Sequence, residues 1–396
     1  MAADDLIADD PVELGLDPQK VAQLMARAHQ EVAQGLLPSA QVAIARHGRI
    51  GATATFDRAR QDGTEREATG KTRYPIFSCT KAIVSAAAWI LIGEGRLDVS
   101  RRVVEVVPEF GRNGKESVTV EHLFLHQGGF PSAGFVAEDW ENRDRRLRYF
   151  ADWRLEWQPG SRYEYHPTSA FWVIAEIIER CAGDDWREFV RRRIAEPLGL
   201  PALKPGVDSG ADRPIADFMF LGEPPGPEEL ARIGLSDLNR VAVDEESLLA
   251  LNRPAVRAVG VPGGGGIMTA VDLALFYQAL LADLGSAHAR VWKAETLREA
   301  LTVRSGDHVD PMLGYRCNRA LGVVIAGDDG LQNFRGFATA NSPQAFGHGG
   351  AGGQIGWADP ATGISFAYIT NCYDRNFLRQ ARRTIELSTL AAQSLA

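Results

Sequence analysis

The stretch that most limits what this chain can fold into is Ala82 to Gly93, AIVSAAAWILIG, which is apolar on every face of a helix. Such a helix cannot lie on a surface, and the remaining chain must surround it. Ser78-Cys79-Thr80-Lys81 leads into it, and Ser78 begins the sole Ser-x-x-Lys of the sequence. Three residues apart, the hydroxyl and the amine share one face of the first turn. An ammonium at the start of a buried helix is disfavoured by desolvation and by the positive end of the helix dipole. Both push the pKa of Lys81 down, towards a form that accepts a proton. The backbone N–H of Ser78 points out of the helix start, open to an anion. A hydroxyl, a base within reach and an oxyanion donor make an activated nucleophile. The same residues also read as a Ser N-cap followed by a Lys that reaches into solvent. The choice between the two depends on what partners the chain supplies.

A length of 396 residues allows two domains, or one with an insertion, and 45% hydrophobic with 24% charged residues is a globular composition. A formal net charge of −8 argues against nucleic acid or an anionic membrane as the main partner. Cys79, Cys181, Cys317 and Cys372 are far apart and lack metal-ligand or redox spacing, so no metal or cofactor is expected. Cys79, beside Ser78, reads as a buried structural thiol. The start, MAADDLIADD, has no basic segment followed by an apolar one, and Ala82–Gly93 is too short to span a membrane. The expected location is the cytoplasm.

In chain order, Asp17 to Gly35 has helical spacing. Gln41–Arg46 and Arg49–Thr55 read as strands joined through His47-Gly48, and Phe56–Lys71 as a polar loop with room for a short strand. Thr119 caps VEHLFLH, Trp140–Trp157 has helical spacing in its middle, and a long apolar helix follows Thr168. Pro201–Gly266 is rich in Gly, Pro and acidic residues, with short helical signals at Glu228–Ile233 and Glu245–Leu251. It suits a substrate-selecting wall. Gly263–Gly266 precede a helix capped by Thr269. Without a phosphate-loop context they indicate close backbone packing beside a site. Leu321–Ala326, Phe346–Ala358 and Ile364–Thr370 read as strands, and Arg375–Gln393 as a closing helix. One sheet built from both termini results: an α/β domain of residues 1–110 and 262–396, with an inserted, mainly helical domain of residues 111–261 forming the wall of the site.

Two further constellations bear on Ser78. Tyr165, in PGSRYEYHP, lies just before a helix start, where a phenol either faces a crevice and moves a proton or simply packs. Phe346-Gly-His-Gly-Gly-Ala-Gly-Gly353 is a strand dense in glycine. That density implies close approach, by a substrate to the strand edge or by a neighbouring element.

Taken together, Ser78-Cys-Thr-Lys81, Tyr165-His-Pro167 and His348-Gly349-Gly350 resemble the three motifs of the serine β-lactamase-like hydrolases. These include the penicillin-binding proteins, class C β-lactamases, D-aminopeptidases and family VIII carboxylesterases. The order and spacing are most similar to the class C-like branch. The resemblance implies an α+β, β-lactamase/transpeptidase-like fold, with an antiparallel sheet flanked by helices. It implies Ser78 as nucleophile, Lys81 and Tyr165 as the proton-transfer pair, and the N–H groups of Ser78 and Ala351 as oxyanion hole. His348, Gly349, Gly350 and His166 are the implied substrate contacts. Two positions depart from the family pattern. Tyr-x-Asn is Tyr-His-Pro, and the Lys of Lys-Thr-Gly is His348, which is neutral or only partly charged near neutral pH. Both departures shift the expected substrate from β-lactams and peptides to small carboxylic esters. An amidase, a D-aminopeptidase or a β-lactamase on the same scaffold is the alternative, and a non-catalytic binding protein the other.

Overall fold

The sheet opens with the hairpin expected from the sequence. β1 (Ser39–Arg46) and β2 (Arg49–Gln61) pair antiparallel about His47-Gly48. Both turn residues take positive φ, 53° and 76°, as a two-residue connection between right-twisted strands requires. The computed structural model describes residues 6–61, 63–207, 214–232, 243–312 and 314–396. Within it, β3 (Thr64–Glu67), β4 (Val324–Ile325), β5 (Phe346–Gly350), β6 (Gln354–Ala358) and β7 (Ile364–Thr370) complete a seven-stranded sheet. The order is β3-β2-β1-β7-β6-β5-β4, antiparallel throughout. The first and last thirds of the chain therefore meet at the β1–β7 pair.

Alternation along the strands assigns the two faces. Val42 and Ile44 of β1 with Phe366 and Tyr368 of β7 belong to the core under α1 (Pro18–Ala33) and the closing helix. Ala43, Ala45 and Ala367 face the other way, into the larger core. Alanines there let α4 (Ala270–Leu284) approach closely enough for Ser365 Oγ to donate to the Ala274 carbonyl at 2.8 Å. α2 (Thr80–Gly93) is buried from Thr80 to Leu91, as a uniformly apolar helix must be. α3 (Ser169–Ala182) packs beside it, and the closing helix is α5 (Phe377–Ala392). No helix among the described residues is long and apolar enough to cross a membrane.

Three expectations need correction. Phe56–Lys71 is not mainly loop: β2 continues to Gln61 and β3 follows. Its side chains are polar because this end of the sheet faces solvent, so the period-2 signal is lost, although Gly63 at φ 79° marks the turn. Phe346–Ala358 is not one strand but two, β5 and β6, with Ala351–Gly353 between them. Gly352 and Gly353 take φ 86° and 81°, which reverse the chain. Of Leu321–Ala326, only Val324 and Ile325 pair. In the segment expected to form the wall, short helices span Pro227–Arg232 and Glu245–Leu249, and Ile233 lies outside the described residues.

Candidate active site

The approach to Ser78 is a single 3₁₀ turn, Phe77–Cys79, which runs into α2. Phe77 sits at φ 45°, a conformation that a bulky residue adopts only when its surroundings enforce it. The enforcement is visible. The Phe77 ring packs on Phe218 at 4.3 Å between centroids, and the Ile76 N–H donates to the Gly266 carbonyl at 2.9 Å. Ser78 does not cap α2, which has no side-chain cap. Its Oγ instead accepts from the Tyr165 phenol at 2.9 Å and lies 3.1 Å from Lys81 Nζ.

Lys81 does not reach solvent; it is 0% exposed. Its Nζ donates to the Pro167 carbonyl at 2.7 Å and the Gly263 carbonyl at 2.6 Å, and no carboxylate pairs with it among the described residues. Burial pushes its pKa below the ordinary lysine value. Tyr165 opposes that shift, and Arg319 adds to it. The glycine run has the packing role expected of it. A Cβ on Gly263 would stand 2.8 Å from the Pro167 oxygen, and one on Gly266 would stand 2.7 Å from Thr80 Oγ1. Larger residues would push away the carbonyl that holds the amine.

Tyr165 is gripped from beneath by His126, which the sequence reading passed over. The His126 carbonyl accepts from Glu164 N–H at 3.2 Å and its Nδ1 from His166 N–H at 3.1 Å. Its ring lies 4.6 Å from that of Tyr165. His166, an expected substrate contact, is turned into the fold. It is fully buried, its Nδ1 donates to the Glu164 carbonyl at 2.6 Å, and its Nε2 accepts from Phe130 N–H at 3.2 Å. Both ring nitrogens are used to shape the loop that presents Tyr165.

β5 runs alongside the Ser78 turn. Cys79 Sγ donates to the His348 carbonyl at 3.1 Å, and a Cβ on Gly350 would stand 2.6 Å from the Ile76 oxygen. Gly350 is thus required by close approach, whereas Gly349 has nothing nearer than 3.7 Å. Gly349, Gly350 and Ala351 remain half-buried, as do Ser78 and Tyr165. His348 is 5% exposed, with Nδ1 donating to the Gly349 carbonyl at 2.6 Å and Nε2 3.1 Å from Arg319 Nη1. Burial first, then Arg319 and Lys81, push its pKa well below 6.5, so it is neutral. The positive charge missing from this motif stands next door. Arg319 lies over the rings of Tyr165 (5.3 Å) and Tyr163 (5.8 Å) and pairs with no carboxylate among the described residues. No sequence pattern marks it; only the fold brings it to His348.

The chain matches the β-lactamase family profile over residues 19–391. The esterase/β-lactamase LipL of Mycobacterium tuberculosis is 27% identical over 326 residues, 75% of this chain and 68% of LipL. A penicillin-binding-protein homologue from Caulobacter crescentus has a TM-score of 0.76 at 26% identity, covering 96% of this chain and 99% of its own. A family VIII carboxylesterase has a TM-score of 0.74 at 23% identity, covering 94% and 98%. At that identity the likeness to the carboxylesterase is one of fold.

The site rests on neutral buried histidines, which makes it sensitive to acid. His166 is pushed down to about 4, and His126 and His348 well below 6.5, in each case chiefly by burial. An unfolded histidine titrates near about 6.5. Between these values the unfolded chain binds more protons, so this stability is full above about pH 6.5 and is lost as pH falls. The melting temperature is expected to drop already between about pH 6.5 and 5, above the range where carboxylates titrate. A melting temperature that stays flat over that interval would contradict the assignment.

Proposed function

The chain belongs to the β-lactamase family of serine hydrolases, and on that footing we propose that it cleaves carboxylic esters through an acyl group carried on Ser78. The observation that carries the reading is the Ser78 hydroxyl itself. It caps nothing and lies between a buried amine at 3.1 Å and a phenol at 2.9 Å. With Lys81 neutral, its two N–H bonds go to the Pro167 and Gly263 carbonyls, and its lone pair is left for the Ser78 proton. Ser78 Oγ attacks the ester carbonyl as its proton passes to Lys81. The oxyanion accepts from the N–H groups of Ser78 and Ala351. Collapse breaks the carbon–oxygen bond, Tyr165 protonates the departing alkoxide, and the Lys81 ammonium restores the phenol proton. Water then attacks the acyl group, its proton goes back through the same pair to Ser78, and the acid leaves.

The surroundings support esters over amides as substrates. An amine leaves only after its nitrogen is protonated, whereas an alkoxide is less basic. Pro167 offers no side-chain donor for an acylamino group, and its carbonyl is already bound to Lys81. LipL, an esterase/β-lactamase by name, supports ester cleavage and lactam cleavage alike. His348 brings no charge, but Arg319 brings a permanent one, so loss of the family's lysine does not remove attraction for a carboxylate. Esters that bear a carboxylate therefore gain over neutral ones.

A fluorophosphonate probe is expected to mark Ser78, read by peptide mass, and Ser78→Ala should lose both labelling and p-nitrophenyl ester turnover. Lys81→Ala and Tyr165→Phe should each lower turnover on the order of a hundredfold, and the pair together little more, because they act as one relay. Labelling elsewhere, or additive losses, would sink the scheme. For specificity, Arg319→Met should cut kcat/KM for a monoester of a dicarboxylic acid about tenfold or more. The same change should cost p-nitrophenyl acetate clearly less, because for a neutral ester Arg319 acts only through Lys81 and Tyr165. Equal losses on both substrates would deny Arg319 an anion-binding role.

A further inference from the structure

The turn that bears Ala351 is held by more than the sheet. Behind it lies Arg383 of α5, which is 0% exposed. Arg383 Nη2 donates to the Gly352 carbonyl at 3.0 Å, and Nη1 pairs with Glu31 of α1. Glu31 is itself 5% exposed and also takes a bond from Arg27 Nη2 at 2.9 Å. The next residue, Thr384, places Oγ1 3.1 Å from the Gly353 carbonyl. The fit is tight on every side. A Cβ on Gly352 would stand 2.5 Å from the Cys372 oxygen, and one on Gly353 would stand 2.7 Å from Gln380 Cγ and 3.0 Å from Arg383 Nη2.

We propose that Arg383 is a positioning residue for the reaction: anchored by Glu31, it fixes the Ala351–Gly353 turn and so aims the Ala351 N–H at the oxyanion. The inference rests on the assignment of Ala351 to the oxyanion hole. Two consecutive glycines at positive φ give the turn many alternatives, and an unrestrained turn would sample them. An oxyanion donor works only within a few tenths of an ångström of the place where charge develops. A buried ion pair adds little stability over apolar residues of the same volume, so stability alone does not explain it. What it adds is geometry. The planar fork of Arg383 meets one carboxylate and one carbonyl in fixed directions, which no apolar side chain does.

The test compares wild-type protein with Arg383→Met/Glu31→Gln, Arg383→Lys and Thr384→Val. The double substitution leaves no buried carboxylate without its cation. Each protein is assayed well below its own melting temperature for kcat and KM with p-nitrophenyl acetate. Affinity for an aryl trifluoromethyl ketone, to which Ser78 Oγ adds to give a tetrahedral oxyanion, is measured alongside. The double variant should lose about tenfold or more in kcat, with KM within about twofold, and bind the ketone more weakly by a similar factor. Arg383→Lys should recover part of the loss. Thr384→Val, which disturbs no charge, should lose about threefold in kcat and decides the matter if the double variant does not fold. Folded variants with wild-type kcat and ketone affinity, or with the loss confined to KM, would overturn the proposal. Fluorophosphonate labelling of the same preparations separates the two levels of inference. Wild-type protein unlabelled at Ser78 overturns the acyl-enzyme reading and this one with it, whereas labelled protein with unaffected variants overturns this one alone.

Discussion

The desolvation of one amine organises the site. Lys81 is closed off from water, has no carboxylate partner among the described residues, and is held by two backbone carbonyls and a hydroxyl. Burial of a lone ammonium favours its neutral form, and two carbonyls match the two N–H bonds of that form. Much else follows from bringing those carbonyls in. The Pro167 carbonyl requires the bent Tyr165-His-Pro loop, which His126 and His166 brace with nitrogens kept neutral by burial. The Gly263 carbonyl requires a glycine run, because a side chain at Gly263 or Gly266 would collide with Pro167 or Thr80.

The other side of the Ser78 turn is formed by the sheet. β5 is pressed against the Ser78 turn through Gly350, and the β5–β6 turn is held from behind by the first and last helices. The β1–β7 pairing therefore does more than complete a sheet. It brings α1 and α5 together on one face, where Glu31 and Arg383 meet under the turn. Charge is divided in a similar way. His348 stands in the strand but is neutral, and the permanent cation is Arg319, which arrives from a neighbouring loop and rests on the faces of Tyr163 and Tyr165.

That Ser78, Lys81 and Tyr165 come together was legible in the sequence because each has a local marker. Ser78 and Lys81 stand at the start of an all-apolar helix, and Tyr165 precedes a long apolar one. The hairpin at His47-Gly48 and the sheet built from both termini were legible from period-2 patterns and turn residues. What was not legible depended on tertiary placement. β3 carries only exposed polar residues, so nothing in its hydrophobicity marks a strand. Gly352 and Gly353 were read as strand because glycine density implies close approach without saying that the chain reverses. His166 looked available because an imidazole beside a motif tyrosine invites a functional role, and only the fold shows both nitrogens in use. Arg319 and Arg383 have no sequence signature, since their partners are far away along the chain.

The proposed acyl transfer depends most on Lys81 being a neutral amine at working pH, and that state can be observed directly. Protein labelled with ¹⁵N at lysine Nζ, with the Lys81 resonance assigned by comparison with Lys81→Arg, would be titrated by NMR. Lys81 is predicted to lose its proton below the ordinary lysine value of about 10.5. A Lys81 resonance that stays in the ammonium form up to that value would contradict the account at its base.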